Sequence, residues 1–249
     1  MNWLPPEKPA ELTEKRLIAG ILDGTFMVDS VLPAERELAE QLGVTRPTLR
    51  EVLQRMARDG WFEIRHGKAT RVCDYWQEGN LAVLSSIARY QENLPADFVP
   101  NLLQIRILLA PTYTRQAIER NASQVIQLVK DYSLISDDPA VFADFDFHLH
   151  RQLTLLAGNA VFTLFMNSVK DLYSVLAPQY FSLLEARQES RGWYRALHEC
   201  AKRCSGDEVQ SKTEDVMRKS LDLWKRMAFS AGQATQPSKI NEKGRSDVA

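Results

Sequence analysis

The chain has 249 residues, of which 45% are apolar and 25% charged, and a formal net charge of −1. That length makes one large domain or two modest ones, and the apolar fraction excludes a disordered chain. No apolar run approaches the ~18 residues of a membrane helix, no secretory leader is read at the start, and Cys73, Cys200 and Cys204 are too scattered for a disulfide framework. A reducing, cytoplasmic setting with no membrane partner is therefore expected.

From Ala10 to Leu22 apolar residues recur at helical spacing until Gly24 stops them. Leu32-Pro33-Ala34-Glu35-Arg36-Glu37-Leu38-Ala39 reads as the start of a second helix, with Pro33 near its first turn, and the helix breaks at Gly43, which is placed to take a positive φ in a tight turn. Thr45 is the N-cap of a third helix, Pro47 fits its first turn, and Asp59-Gly60 ends it. Residues 61–65 and 68–72 flank His66-Gly67 as a short β-hairpin. Beyond Cys73 only helical patterns remain, over about 77–90, 97–120, 122–135, 138–156, 160–184, 186–204 and 207–229, with Pro111 expected to bend one of them.

The fold class expected is mostly α: an N-terminal winged helix-turn-helix with a small β-hairpin over 1–73, a linker at 74–79, an antiparallel all-α bundle over 80–230, and a disordered tail at 231–249. Net charge argues for no nucleic-acid partner, but its distribution does. Residues 1–45 carry a net −4, whereas 46–71 carry seven Lys/Arg against three acids. Val44, Leu49, Val52, Leu53 and Met56 form the stripe to be buried, leaving Arg50 and Gln54 of the third helix outward and Arg46 at the edge. Taken alone, these arginines fit a solvated surface as well as a DNA groove. The hairpin that follows gives the order of a winged helix, with His66-Gly67-Lys68 at the tip of the wing.

Leu32-Pro33-Ala34-Glu35-Arg36-Glu37-Leu38-Ala39, followed by Gly43-Val44-Thr45-Arg46-Pro47-Thr48-Leu49-Arg50-Glu51, resembles the signature of the GntR family of transcription factors. The run Leu49–Trp61 and the His66-Gly67-Lys68 tip are similar to the fatty acid metabolism regulators of that family. The resemblance implies DNA contacts from Arg36, Thr45, Arg46, Thr48, Arg50, His66, Gly67 and Lys68, with Pro47 standing where a Thr is expected. It also implies a homodimer on a pseudo-palindromic double-stranded operator.

Two readings of the bundle stay open. Asp146 and His150, at i and i+4, share a helix face and suit two ligands of one metal, in a regulator answering to a metal-bound carboxylate metabolite. They match the family's Asp-x-x-x-His pair, but Arg195 and Met217 stand where two further histidines belong. The other reading is an apolar cavity, for which Leu, Phe, Tyr and Trp residues are abundant, although such residues are commonly plain core. Resemblance to the fatty acid regulators implies a long-chain acyl-coenzyme A effector and no bound cofactor or metal. It places Arg106 at the coenzyme A head, Tyr173 and Tyr180 at the chain and pocket mouth, and Ser220 and Trp224 on the responding helix. It further implies repression of fatty acid degradation genes and activation of synthesis genes. No phosphate loop or nucleophile elbow marks an enzyme, and no catalytic residue is assigned.

Overall fold

The computed structural model describes residues 8–90, 95 and 97–234. Three helices come first: α1 (Pro9–Leu22), α2 (Glu35–Leu42) and α3 (Arg46–Asp59). Gly43 takes φ +66° between α2 and α3, and Gly60 takes φ +94° after α3, so both turns use the left-handed region that glycine enters without strain. The strands β1 (Phe62–Glu63) and β2 (Arg71–Val72) then pair antiparallel, Phe62 opposite Val72 and Glu63 opposite Arg71. Leu17, Ile18, Leu38, Leu49, Val52, Met56 and Trp61 close the core beneath them. Of the expected stripe, Leu49, Val52, Leu53 and Met56 of α3 are buried and Val44, in the turn before it, is half-buried, while Arg50 and Gln54 are exposed.

The rest is helical: α4 (Tyr75–Glu78), α5 (Leu81–Tyr90), α6 (Phe98–Val129), α7 (Pro139–Leu156), α8 (Ala160–Ser168), α9 (Lys170–Phe181), α10 (Leu184–Lys202) and α11 (Gly206–Ala234). Helix α6 packs against α7, α10 and α11, and α9 against α5 and α7. Helix α5 has a double role, for it also packs on α1 and α3.

Several boundaries depart from the sequence reading. The pattern at 77–90 is two helices, because Gly79 is extended and Asn80 caps α5 by accepting from the Ala82 N–H at 2.8 Å. The pattern at 160–184 breaks at Val169, where no glycine or proline marks the interruption. In α6 helical dihedrals run through Pro111, where a bend was expected, and fail at Asn121, between the patterns read over 97–120 and 122–135, where the Asn121 side-chain amide donates to the Leu156 carbonyl at 2.8 Å. The helix expected to reach residue 135 ends at Val129, and a 3-10 turn covers Tyr132–Leu134. Residues 231–234 continue α11, and the remainder of the expected tail lies outside the described residues.

Candidate functional site

Thr45 caps α3 by accepting from the Thr48 N–H at 3.3 Å, and the two hydroxyls lie 2.9 Å apart. The cap leaves the first turn of α3 turned to solvent, with Thr45, Arg46 and Arg50 exposed and Thr48 half-buried. Between α3 and the wing runs a groove lined by Glu35, Arg50, Gln54, Arg65, His66, Gly67 and Lys68. Arg36, Thr45, Arg46 and Thr48 stand outside that lining, at the N-terminal ends of α2 and α3. A helix N-terminus flanked by cations and a flexible tip is what a duplex with its phosphates requires.

The basic character of this region is smaller than its composition suggests. Arg55 pairs with Glu14, Arg65 with Glu63, and Arg50 donates to Glu35 at 2.6 Å. Arg71 is a hub, 2.7 Å from Asp29, 2.9 Å from Glu63 and 2.7 Å from Glu78. These acids lie outside residues 46–71 except for Glu63, so a windowed charge count misses them. Among the described residues no ion pair engages Arg46 or Lys68.

The expected linker is docked against the reader. Tyr75 of α4 lies 4.8 Å, ring to ring, from buried Trp61. The Asn80 amide donates to the Arg58 carbonyl at 2.9 Å, and its backbone N–H donates to the Asp59 carbonyl at 2.9 Å. Gly60 and Gly79 approach so closely that a Cβ on Gly60 would stand 2.5 Å from the Gly79 Cα. The end of the reading helix and the start of the bundle are thus joined backbone to backbone. Sequence reasoning missed this latch, whose only local signal was the Gly79-Asn80 pair.

Within the bundle lies an apolar cavity of about 250 Å³. Helix α5 contributes Leu81 and Leu84 to its wall, α6 contributes Leu102 and Leu103, and α9 contributes Leu172 and Leu176. All five residues assigned to the effector site, Arg106, Tyr173, Tyr180, Ser220 and Trp224, come together on its lining. Tyr180 donates to the Ser220 hydroxyl at 3.0 Å, and Ser220 to the Val216 carbonyl at 2.9 Å. Burial pushes the Tyr180 phenol up to about 12, so it remains a neutral donor.

Arg106 is committed to its neighbours. Its Nη2 lies 3.0 Å from His150 Nε2 and 3.5 Å from Asp146 Oδ2, and its guanidinium sits 5.4 Å from the Tyr173 ring centre. Asp146, with 3% of its side chain exposed, accepts from Tyr194 at 2.6 Å and from Tyr173. Burial works against its charge, but His150, Arg106 and the two phenols hold its carboxyl below the usual carboxylate range. His150 stacks on Trp193, shares a 2.7 Å hydrogen bond with Tyr113, and is pushed down to about 4 by burial, so its ring is neutral. Asp146 and His150 therefore do face one another, as their spacing implied, but around a guanidinium. An arginine cation between them does not fit a metal, and among the described residues no three His, Cys, Asp or Glu side chains gather as a metal site. Tyr113 and Tyr194 complete the network without having been read from the sequence.

A winged helix-turn-helix latched to a helical bundle that holds an apolar cavity is the architecture of a DNA-binding transcriptional regulator, a class without enzymatic activity. The comparisons agree with that class. Residues 9–72 match the model for bacterial regulatory proteins of the gntR family, and residues 73–234 match the FadR C-terminal domain. The fatty acid metabolism regulator protein of Klebsiella pneumoniae strain 342 is 37% identical over 227 residues, covering 90% of this chain and 94% of the relative. That of Edwardsiella ictaluri is 37% identical over 218 residues, covering 88% and 91%. Among solved structures, Lar of Listeria monocytogenes, described as controlling expression of the agr system, shares the fold with a TM-score of 0.63. It is 14% identical and covers 90% of this chain and all of its own. The chain belongs to the GntR family of bacterial transcriptional regulators and carries a FadR C-terminal domain. No helix among the described residues is long and apolar enough to cross a membrane.

Proposed function

We propose that this regulator works in the cytoplasm as a homodimer that represses fatty acid degradation genes, activates fatty acid synthesis genes, and leaves its operator on binding long-chain acyl-coenzyme A. Each protomer reads half of a pseudo-palindromic site. Arg46 and Arg50 enter the major groove, His66 and Gly67 reach the minor groove, and Arg36, Thr45, Thr48 and Lys68 hold phosphates. The observation that carries this reading is a shared wall: α5 lines the cavity through Leu81 and Leu84 and packs on the reading helix α3. Fatty acid control is supported by the names of the relatives at 37% identity.

About 250 Å³ is smaller than the roughly 300–1,000 Å³ of ordinary small-molecule pockets, so a long chain enters only as the walls part. The place at the coenzyme A head expected for Arg106 is revised: paired with Asp146 it is neutral overall, so the phosphates stay at the mouth, while the N–H groups of Arg106 that His150 does not occupy meet the polar end of the acyl chain. The test uses a labelled duplex that the protein has itself selected from a random pool, followed by fluorescence anisotropy. Micromolar oleoyl- or palmitoyl-coenzyme A releases the duplex, and oleate or coenzyme A alone does so much more weakly, each lacking half of the contacts. Release by a carboxylate metabolite that a chelator abolishes, with no response to acyl-coenzyme A, would refute the proposal.

A further inference from the structure

We infer that Glu35 is a specificity-determining positioning residue of the DNA-reading face, which holds Arg50 as a base reader and keeps it from acting as a phosphate clamp. The inference rests on DNA binding by α3 and goes beyond it. Glu35 is the first residue of α2, and Arg50 lies on the second turn of α3, fifteen positions later. Arg50 Nε donates to Glu35 Oε2 at 2.6 Å. Both side chains remain reachable, Arg50 at 66% and Glu35 at 39% exposed, and both line the groove between α3 and the wing.

The geometry matters more than the pairing. A guanidinium has five N–H donors, and the contact with Glu35 uses the single one on Nε. The two terminal nitrogens are left free among the described residues, and they are the fork that meets guanine O6 and N7. Holding the stem at Nε fixes the plane of that fork before DNA arrives. An exposed ion pair adds little to stability, so fold stabilisation is a poor account of a carboxylate in a cation-lined groove. Its electrostatic effect on DNA is also unfavourable wherever the protein sits loosely on phosphates, since Glu35 cancels one of the few cations of the face. A carboxylate that costs non-specific affinity while orienting a base-reading fork raises the ratio of specific to non-specific binding.

The experiment measures the affinities of full-length wild type, Glu35→Ala, Glu35→Gln, Arg50→Ala and E35A/R50A for the selected operator, for operators substituted one base pair at a time, and for a random duplex, each across a salt series. Glu35→Ala binds the random duplex more tightly, with a slope of log K against log salt steeper by up to about 0.9, one phosphate's worth. It also loses about fivefold or more in discrimination at one base pair per half-site, the lower bound for one bidentate contact. The same base pair loses its discrimination in Arg50→Ala, and the double variant loses no more than Arg50→Ala alone. Glu35→Gln keeps an oxygen acceptor for Nε, so it retains the discrimination while gaining non-specific affinity. If Arg50→Ala relaxes one base pair and Glu35→Ala leaves that position and the random-duplex affinity unchanged, the role of Glu35 is overturned while DNA reading stands. If Arg50→Ala changes nothing, Arg50 is not a base reader and the inference falls with that assignment.

Discussion

Replacing Arg106 by methionine removes the guanidinium while keeping most of the apolar stem, and so isolates what the charge does for the bundle. In the native protein that charge lies 3.5 Å from a carboxylate with 3% of its surface exposed. Leaving a buried charge without its partner typically costs about 3–5 kcal/mol. The carboxyl can escape part of that by taking up a proton. At about 1.4 kcal/mol per pH unit, the climb from its ordinary 3.8 to neutrality limits the cost to about 4 kcal/mol at pH 7. The two phenols still donate to Asp146, and Arg106 itself is 24% exposed, so about 2–4 kcal/mol is expected. The sign of the pH dependence is diagnostic. In Arg106→Met the Asp146 carboxyl loses one of the groups that hold its pKa down, so its folded-state pKa rises from the wild-type position and the variant's deficit grows as pH rises through that raised value. Urea unfolding should therefore show the gap between variant and wild type at its widest at pH 8 and narrower at pH 5. In R106M/D146N neither charge remains, and most of the lost stability should return. A single variant within about 0.5 kcal/mol of wild type at pH 8, the ordinary range of a neutral surface substitution, would refute the reasoning. So would a double variant no more stable than the single one.

Three further outcomes follow from the same geometry. Because burial pushes His150 from its ordinary 6.5 down to about 4, its contribution is fully present above pH 6.5 and is lost as pH falls to 4, a loss of about 3 kcal/mol; thermal unfolding of His150→Gln should converge on wild type over that range, and parallel curves would count against it. Gly60→Ala forces a side chain onto φ +94° and against the Gly79 backbone, so urea unfolding should show a loss of at least about 1–3 kcal/mol, the cost of the backbone conformation alone, together with a changed operator affinity. Asn80→Ala removes a cap worth about 1 kcal/mol and the bond to the Arg58 carbonyl, so operator titrations should need more effector for release although the folded state persists; an unchanged midpoint would exclude the latch as the link.

Legibility differed sharply between the two halves. The reader was legible because its turns depend on residues with singular backbone chemistry. Gly43 does take positive φ, Gly60 does end α3, Thr45 does cap, and the stripe of α3 is buried. The bundle was legible as helices and at the interruption at Asn121, which falls between the patterns read over 97–120 and 122–135, but not at Val169, where no glycine or proline marks the break. The cavity lining came from family resemblance, because apolar residues that line a cavity and those that fill a core have the same spacing. What composition could not convey was partnership across long separations. Arg106 meets Asp146 and His150 some forty residues away, Arg71 meets Asp29, and Asn80 meets Arg58.

These partnerships bear on how a ligand can drive the reader. Moving a two-state protein from 1:99 to 99:1 takes about 5.5 kcal/mol of differential binding, and tight binding common to both states contributes nothing. Under the proposed acyl-coenzyme A response, the cavity as it stands has room for only part of an acyl chain, and methylenes that fit there bind both states alike. Only methylenes admitted by parting α5 from α9 discriminate, at about 0.8 kcal/mol each, so about seven are needed. Parting that wall disturbs α5, and with it the Asn80 and Gly79 contacts at the end of α3. The effector response should therefore have a threshold in chain length. Acyl-coenzyme A esters short enough for the closed cavity bind without releasing operator, and above the threshold each methylene lowers the concentration for half-release about fourfold, until the switch saturates. Anisotropy titrations with a series of saturated acyl-coenzyme A esters measure this directly. A release potency that rises from the shortest chain with no threshold would mean that the cavity discriminates by contacts already present, and not by the opening of the α5 wall.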